Sequence, residues 1–235
     1  MSEVLDKVRG VRELPLFPLP LVLFPGVPLP LHVFEPRYRR MLADVRAGNN
    51  LFGVSYFDAS TAPGRDRPPV GQVGCAAEVV EVQPLSDGRS NVLTVGLVRY
   101  RVDSYLVRGD SYLVGEVSFF EDEAEDEGLL RQSAGEVKEL FMRIARAVRT
   151  ISGEREALPE LPDTEPERFS FLVAAAMELD AEVKQELLEL ESCGERLRRL
   201  RDLLVLAVDN YEERARVHAV AKRNGHGGKK LDFDE

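Results

Sequence analysis

Residues 14–40 read LPLFPLPLVLFPGVPLPLHVFEPRYRR, and this stretch sets the character of the first half of the chain. Its residues 14–31 carry no charge and are long enough to cross a bilayer. They also contain Gly26 and a proline at positions 15, 18, 20, 25, 28 and 30. Each proline removes a backbone N–H and blocks continuation of a helix, which hydrocarbon penalises severely. The stretch therefore predicts extended or wandering backbone at a sheet edge, in a protein that does not span a membrane.

The sequence after this stretch has the pattern of a small β-barrel. Pro36 at the first helical position and apolar residues at helical spacing predict a short helix over Glu35–Arg46. The pair Asp87-Gly88 tolerates the positive φ of a tight hairpin, so a turn is predicted over Ser86–Arg89. Runs of β-branched and aromatic residues predict strands over Arg12–Phe17, Leu51–Phe57, Gln72–Val82, Asn91–Val95, Val98–Val102 and Tyr112–Ser118. Six short strands with one helix predict a closed or nearly closed barrel.

The second half changes to helical patterns after a strongly acidic segment. Glu121–Glu127 has six acidic residues in seven positions, which predicts a solvated linker and leaves an acidic docking patch as the alternative. Helices are predicted to begin near Leu129, Thr164, Asp180 and Ser192. The predicted fold is thus α+β, a β-barrel followed by a helical bundle. Its parts are a barrel subdomain over residues 1–118, the linker over 119–128, the bundle over 129–221 and a flexible tail over 222–235.

The charge of the chain is unevenly distributed. The formal net charge is −10, yet residues 1–118 carry 13 basic and 13 acidic side chains. Residues 119–235 hold the remaining 18 basic and 28 acidic side chains, and therefore the whole excess. A polyanion would be repelled by the second half and would find no compensating field in the first. The charge therefore argues against nucleic acid as a partner.

The sequence contains no recognisable catalytic or metal-binding constellation. Cys75 and Cys193 are far apart and form no CxxC pair, so the chain is expected to reside in a reducing compartment, the cytoplasm. His32, His218 and His226 have no zinc-ligand spacing. No Gly-x-Ser-x-Gly elbow or phosphate-binding loop occurs. We therefore expect a protein without cofactor, metal or catalytic activity.

Two groups of arginines could either bind an anionic ligand or form structural ion pairs. Four arginines, at positions 37, 39, 40 and 46, lie on the predicted helix and could bind phosphate, but the interspersed Glu35 and Asp44 favour an ordinary solvated face. Glu35 is also spaced for an ion pair with Arg39. Arg99 and Arg101 alternate along a predicted strand, and we hypothesise that one of them meets Glu35 and ties the helix to the barrel.

A series of motifs along the chain resembles the N-terminal, substrate-binding domain of Lon proteases. The series opens with Leu14-Pro-Leu-Phe-Pro-Leu, Val22-Leu-Phe-Pro-Gly and Leu29-Pro-Leu-His-Val-Phe-Glu-Pro-Arg-Tyr-Arg. It continues with Phe52-Gly-Val, Val73-Gly-Cys-Ala-Ala-Glu-Val, Asp87-Gly-Arg, Gly96-x-x-Arg-Tyr-Arg-Val, Lys184-Gln-x-Leu-Leu-Glu and Glu195-Arg-Leu. The resemblance covers about residues 12–207. It implies a PUA-like barrel followed by helices and a role in capturing unfolded or tagged proteins, without the ATPase and protease activities of the full-length enzymes.

The predicted function is non-catalytic recognition of exposed apolar polypeptide segments. The proline-broken stretch holds more apolar residues than irregular backbone can easily hide, and exposed apolar patches mark interaction sites. The predicted binding residues are Leu21, Leu23, Phe24, Val27, Leu29, His32 and Tyr38. The alternative for each apolar residue is burial in the core.

Three other functions stay open at this point. An adaptor role would dock the chain onto a separate ATP-dependent protease or chaperone, with the acidic linker as one possible contact. RNA binding follows only by analogy from a PUA-like barrel and is disfavoured by the charge. A small-molecule pocket has little support, since the chain has no tryptophan from which to build an aromatic cage.

Overall fold

The computed structural model describes residues 3–61, 64–152 and 163–224, with the side chains of the last helix described to Val220. Its strands are β1 Glu13–Leu19, β2 Pro28–Val33, β3 Leu51–Tyr56, β4 Val73–Pro84, β5 Ser90–Leu106 and β6 Leu113–Phe120. Its helices are α1 Glu3–Lys7, α2 Pro36–Ala47, α3 Glu127–Ser152, α4 Pro166–Ala176, α5 Ala181–Glu189 and α6 Cys193–Asn224. The chain divides into two compact units, one of residues 1–124 with 167–193 and one of residues 125–166 with 194–235.

Five strands of the first unit close into a ring, and β2 pairs with β5 outside it. The sheet order is β2-β5-β4-β3-β1-β6, and β5 pairs with β6 as well. The β1–β3 pair is parallel and the other pairs are antiparallel. The predicted barrel with following helices is therefore confirmed. The segments predicted as two strands, Asn91–Val95 and Val98–Val102, form the single strand β5, whose ladder with β4 has irregularities at Ala76/Ala77 and Val79/Glu81.

Strand β2 was not predicted, because prolines interrupt its sequence. It pairs with β5 from Pro28↔Val95 to Val33↔Ser90. The N–H of Gly96 donates to the carbonyl of Val27, which fixes the alternation of bonded and non-bonded pairs along the ladder. Pro28 and Pro30 fall at non-bonded pairs, where the missing N–H would have pointed away from β5. A proline is tolerated at such a position only on an edge strand.

One of the apolar clusters of the first unit contains Tyr100. This side chain is fully buried and its hydroxyl lies 2.6 Å from Ser55 Oγ. A Cβ added at Gly53 or Gly74 would lie 2.5 Å from Tyr100 Oη. Both glycines are therefore required by the close approach of the ring, since any larger residue would collide with it.

Helices α4 and α5 belong to the first unit, whereas the predicted organisation placed them in a helical bundle. Hydrogen bonds attach α5 to the sheet: Tyr56 donates to Glu182 (2.7 Å) and Gln185 donates to the carbonyl of Val73 (2.9 Å). The bond to the Glu182 carboxylate raises the pKa of Tyr56 to about 12. The predicted boundaries at residues 118, 128 and 221 divide the chain by the order of its elements. The contacts instead group α4 and α5 with the strands.

Helices α3 and α6 make up the second unit. Val137 on α3 and Leu197, Leu200 and Leu204 on α6 are buried, whereas Val148 is 43% exposed. Arg143 and Glu212 join the two helices with a 2.9 Å ion pair. Of the predicted flexible tail over 222–235, residues 222–224 continue the backbone of α6, and the remainder lies outside the described residues.

Candidate binding face

The structure places three of the predicted binding residues in the core. Leu23 and Tyr38 are 3% and 7% exposed and belong to the same apolar cluster, in which the Tyr38 ring lies 4.0 Å from that of Phe17. Phe24 is 1% exposed, with its ring 5.9 Å from Phe171 of α4. The prediction that these three side chains contact a partner is corrected, because helices α2 and α4 cover what the sequence left as irregular backbone.

The other four predicted residues reach the surface to different extents. Leu21, Val27 and Leu29 are half-buried and pack against the cluster that contains Leu23. His32 is exposed. Residues 29 and 31 point towards the core and residues 30 and 32 away from it, because side chains alternate across a strand. Only part of the predicted surface is therefore available to a partner.

An exposed sheet surface surrounds His32. We call it the β2 face; it consists of Pro30, His32, Phe34, Glu81, Gln83, Asn91 and Leu93. Phe34 is 57% exposed and Leu93 37% exposed, whereas most large apolar side chains of this unit are buried. The face is concave, with a groove of about 390 Å³ between Pro30, Leu93 and Glu81. Phe34, Leu93 and Pro30 give it an apolar character that the sequence alone did not assign to them.

A polar ladder crosses the β2 face. His32 Nδ1 donates to Asn91 Oδ1 at 2.8 Å, and Asn91 Nδ2 donates to Gln83 Oε1 at 3.5 Å. The register explains the ladder, since His32 is paired with Asn91 and Asn91 with Gln83 on three adjacent strands. The imidazole also stacks on Phe34, with 6.1 Å between ring centroids. These contacts fix the side chains of the face before any partner arrives, which lowers the entropy cost of binding.

A second depression, of about 580 Å³, continues the face past His32. Its walls are His32, Phe34, Arg39, Asp87 and Arg89. Asp87 and Arg89 form an ion pair at 2.5 Å, so together they add no net charge. Hydrogen bonds from the Arg89 side chain and the Arg89 N–H lower the pKa of Asp87 to about 2. Among the described residues Arg39 has no carboxylate within ion-pair distance. The predicted pair of Glu35 with Arg39 is not formed, because Glu35 binds Arg37 at 2.9 Å.

The hairpin turn holds Arg39 in this depression. Gly88 has a φ of 81°, as predicted for the Asp-Gly turn, and the turn is closed by the bond from Leu85 N to Arg89 O at 2.8 Å. The Arg39 guanidinium packs directly against the Cα of Gly88, where a side chain would collide with it. The guanidinium of this α2 residue therefore lies against the hairpin turn.

Arg99 has a structural role that differs from the predicted one. Its guanidinium is 2% exposed, pairs with Asp122 at 2.5 Å and donates to the carbonyls of Leu188 and Leu190 at 3.1 and 2.5 Å. Arg101 pairs with Glu191 at 2.8 Å. The hypothesis that either arginine meets Glu35 is wrong. Both arginines instead bind the C-terminal end of α5 and its continuation, where a cation complements the helix dipole.

The acidic segment 121–127 is only in part the solvated linker that the sequence predicted. Asp122 is 7% exposed and buried with Arg99. The Glu125 carboxylate accepts a hydrogen bond from the N–H of Gly194 at 3.0 Å, in the first turn of α6. Asp126 similarly accepts from the N–H of Leu129 at 2.9 Å in α3. The remaining acidic side chains of the segment are exposed, as expected.

The described part of the chain offers little for metal or thiol chemistry. No group of three or more His, Cys, Asp or Glu side chains in residues 3–61, 64–152 and 163–224 could hold a metal ion. Cys75 and Cys193 are buried and are not joined in a disulfide, and burial raises the pKa of the Cys75 thiol to about 12. None of the helices described is both long enough and apolar enough to traverse a bilayer.

Comparison with known proteins identifies the family. The profile of the ATP-dependent protease La (LON) substrate-binding domain matches residues 13–205. The chain belongs to this family. The Lon substrate-binding domains of known structure that it resembles include the Lon N-terminal domain protein from Xanthomonas campestris, at a TM-score of 0.57 and 25% identity over 81% of this chain and 97% of that one. The N-terminal domain of the Mycobacterium avium complex Lon protease has the same fold, with a TM-score of 0.62 and 20% identity over 83% of this chain and 98% of that one.

Curated relatives of the Lon substrate-binding domain are longer proteins. The chain is 28% identical to the Lon protease of Brevibacillus choshinensis over 87% of its own length and 26% of that protease. It is 32% identical to the Lon protease of Xanthomonas oryzae pv. oryzae over 85% of its own length and 23% of that protease. The chain therefore spans about a quarter of the length of the curated relatives that it matches. The part that it shares with them is the substrate-binding domain.

Proposed function

We propose that the β2 face binds exposed apolar segments of unfolded polypeptides. The observation that carries the proposal is the exposure of Phe34 and Leu93, 57% and 37%, on a concave face of a closed sheet. Large apolar side chains that remain exposed together on a rigid surface favour an interaction site. The membership of the chain in a substrate-binding family supports polypeptide as the partner.

The edge of β2 determines how such a segment can bind. A polypeptide commonly adds to a sheet by pairing with the N–H and C=O groups of an edge strand. Pro28 and Pro30 remove the two donors that would face an added strand, so among residues 28–32 only His32 offers an outward N–H. Continuous strand addition is therefore disfavoured, and side-chain contacts with Phe34 and Leu93 must supply most of the affinity. We expect dissociation constants on the order of micromolar for one small face that accepts many sequences.

The test measures binding of a reduced, carboxymethylated model polypeptide by fluorescence anisotropy, with Phe34→Ser and Leu93→Ser compared with Val107→Ser. Val107 is 94% exposed in the loop between β5 and β6, so its variant removes an even more accessible apolar side chain from another place. We expect the first two variants to weaken binding about tenfold each, because each removes on the order of 1–2 kcal/mol of apolar contact. The Val107 variant should bind as the wild type does.

Two outcomes would contradict the proposal. Equal losses in all three variants would mean that binding follows general surface hydrophobicity rather than the β2 face. Wild-type binding in the Phe34 and Leu93 variants would place the polypeptide elsewhere. Binding of a single-stranded oligonucleotide in preference to the polypeptide would favour the RNA-binding alternative, for which the net charge of −10 gives no support.

A further inference from the structure

The depression beside the β2 face contains one uncompensated cation next to an apolar side chain. Of the first three arginines of α2, Arg37 pairs with Glu35 at 2.9 Å and Arg40 with Asp44 at 3.1 Å. Arg39 differs from both, since no carboxylate among the described residues pairs with it and it lines the depression together with Phe34. The Asp87–Arg89 pair on the opposite wall adds no net charge. The depression therefore combines one unit of positive charge with an aromatic surface.

We propose that this depression binds the free carboxyl terminus of a polypeptide whose last residue is apolar. A guanidinium and a carboxylate form strong, paired hydrogen bonds, so an unpartnered arginine in a recess favours a carboxylate ligand. A terminal residue carries its carboxylate and its side chain on the same Cα. One such residue can meet Arg39 and Phe34 at once in a depression of about 580 Å³.

The backbone of β2 also suits a chain end. His32 lies on the wall of the depression and is the residue of β2 that retains an outward N–H, whereas Pro30 and Pro28 before it offer none. A bound peptide can therefore hydrogen-bond to the strand at His32 beside the depression but cannot continue the pairing along β2. An internal aspartate or glutamate would instead bring chain past the depression on both sides, and its carboxylate would replace the apolar side chain there.

This inference rests on the proposed function of the β2 face. It specifies that the polypeptide is selected by its free carboxyl terminus. The experiment uses three fluorescein-labelled peptides of one apolar sequence: one with a free carboxyl terminus, one with a terminal amide, and one with a terminal amide and an internal aspartate. Binding to the whole chain is measured by anisotropy. We expect the free acid to bind about tenfold more tightly than either amide, and the preference to weaken as salt is raised.

The matched variants are Arg39→Gln and Arg46→Gln. Both arginines are exposed on α2 and lack a described ion-pair partner, and both changes remove one positive charge, but only Arg39 lines the depression. Arg39→Gln should bind acid and amide peptides equally, and Arg46→Gln should keep the preference. The far-ultraviolet circular dichroism and the melting temperature check that both variants are folded.

The outcomes separate this inference from the proposed function. Equal binding of acid and amide peptides by the wild type would overturn the inference and leave the apolar face standing. A peptide with internal aspartate that binds as tightly as the free acid would overturn the selection of chain ends. Loss of the preference in Arg46→Gln as well as in Arg39→Gln would assign it to net charge and also overturn the inference. Failure of all three peptides and of the unfolded polypeptide to bind would overturn both proposals.

Discussion

The two halves of strand β5 differ in the strands they pair with and in the exposure of their side chains. Residues 99–106 pair with β6 and close the ring, and Arg99 on this half is buried between Asp122 and the end of α5. Residues 90–95 pair with the proline-bearing edge strand β2, and Asn91 and Leu93 on this half are exposed. Residues 99–101 pair with both β4 and β6 within the closed barrel, and Arg99 joins α5 to it. Residues 90–95 pair with both β4 and β2, but the sheet face that carries Asn91 and Leu93 is uncovered.

The difference shows how one strand can provide stability and recognition without conflict. Substitutions of buried residues in the closed half, such as Arg99 and Tyr100, must disturb the core, because the ring and α5 enclose these side chains. Substitutions of exposed residues in the open half should change binding while the fold persists, because few core contacts depend on them. Stability measurements on the closed half and binding measurements on the open half can therefore be made independently.

The largest expected effect is that of Arg99→Met. The change removes one partner of the buried Asp122 carboxylate and a donor to the carbonyls of Leu188 and Leu190. Breaking a buried ion pair by removing one member typically costs about 3–5 kcal/mol, since the remaining charge stays buried with less compensation. Urea unfolding at pH 7 should show a loss of this size in the free energy of unfolding.

The neighbouring pair provides the control for this measurement. Arg101 and Glu191 form a 2.8 Å ion pair whose side chains are 41% and 45% exposed. Arg101→Met should therefore lower the free energy of unfolding by less than about 1 kcal/mol. Similar losses in Arg99→Met and Arg101→Met would refute the distinction between a buried and an exposed attachment of α5.

A smaller loss is expected from Gly74→Ala on β4, which is paired with Tyr100 of the closed half. The added Cβ would lie 2.5 Å from Tyr100 Oη and 2.6 Å from the carbonyl oxygen of Val54, so the buried ring or the backbone must shift. Overpacking of this kind costs about 1–3 kcal/mol. In contrast, Gly135→Ala on α3 meets nothing within 4 Å and replaces a helical glycine, so it should raise the stability by about 0.5–1 kcal/mol. Thermal unfolding of both variants measures the contrast, and a stabilised Gly74→Ala would show that the ring has room.

The sequence predicted the elements of the fold better than their contacts. Periodicity located five of the strand regions, and the Asp-Gly turn was confirmed at Gly88. Strand β2 was missed because Pro28 and Pro30 oppose a strand unless its edge is free, and only the three-dimensional pairing reveals the edge. The partner of Arg99 was missed for a similar reason, since Asp122 and the end of α5 are distant in sequence.

The binding residues were predicted less well than the fold. Apolar residues in a proline-rich segment have the same composition whether they are buried or exposed, so composition could not separate Leu23 from Leu29. His32 emerged as exposed, and Phe34 was quoted only as part of a motif. Leu93 lies on a regular strand, and its exposure depends on which face of β5 remains uncovered. The alternation of side chains along β5 therefore indicated which residues share a face with Leu93. Which of the two faces is exposed could be decided only once the position of β2 was known.

The smallest expected effect concerns the hairpin at the open end of β5, which is held by a surface ion pair. The side-chain bond from Arg89, followed by the bond from the Arg89 N–H, lowers the pKa of Asp87 to about 2. Because the pKa is lower in the folded state, the pair stabilises the hairpin above the ordinary aspartate pKa and loses this contribution as the pH falls through about 2. The carboxyl carbon resonance of Asp87 should titrate with a midpoint near 2, and in Arg89→Gln the midpoint should rise towards the ordinary value of about 3.9.

Arg108→Gln, which breaks the pair with Glu13 outside the hairpin, should leave the midpoint of Asp87 unchanged. A midpoint near 3.9 in the unaltered chain would mean that the pair does not persist in solution, and that the wall opposite Arg39 carries charges that do not neutralise each other.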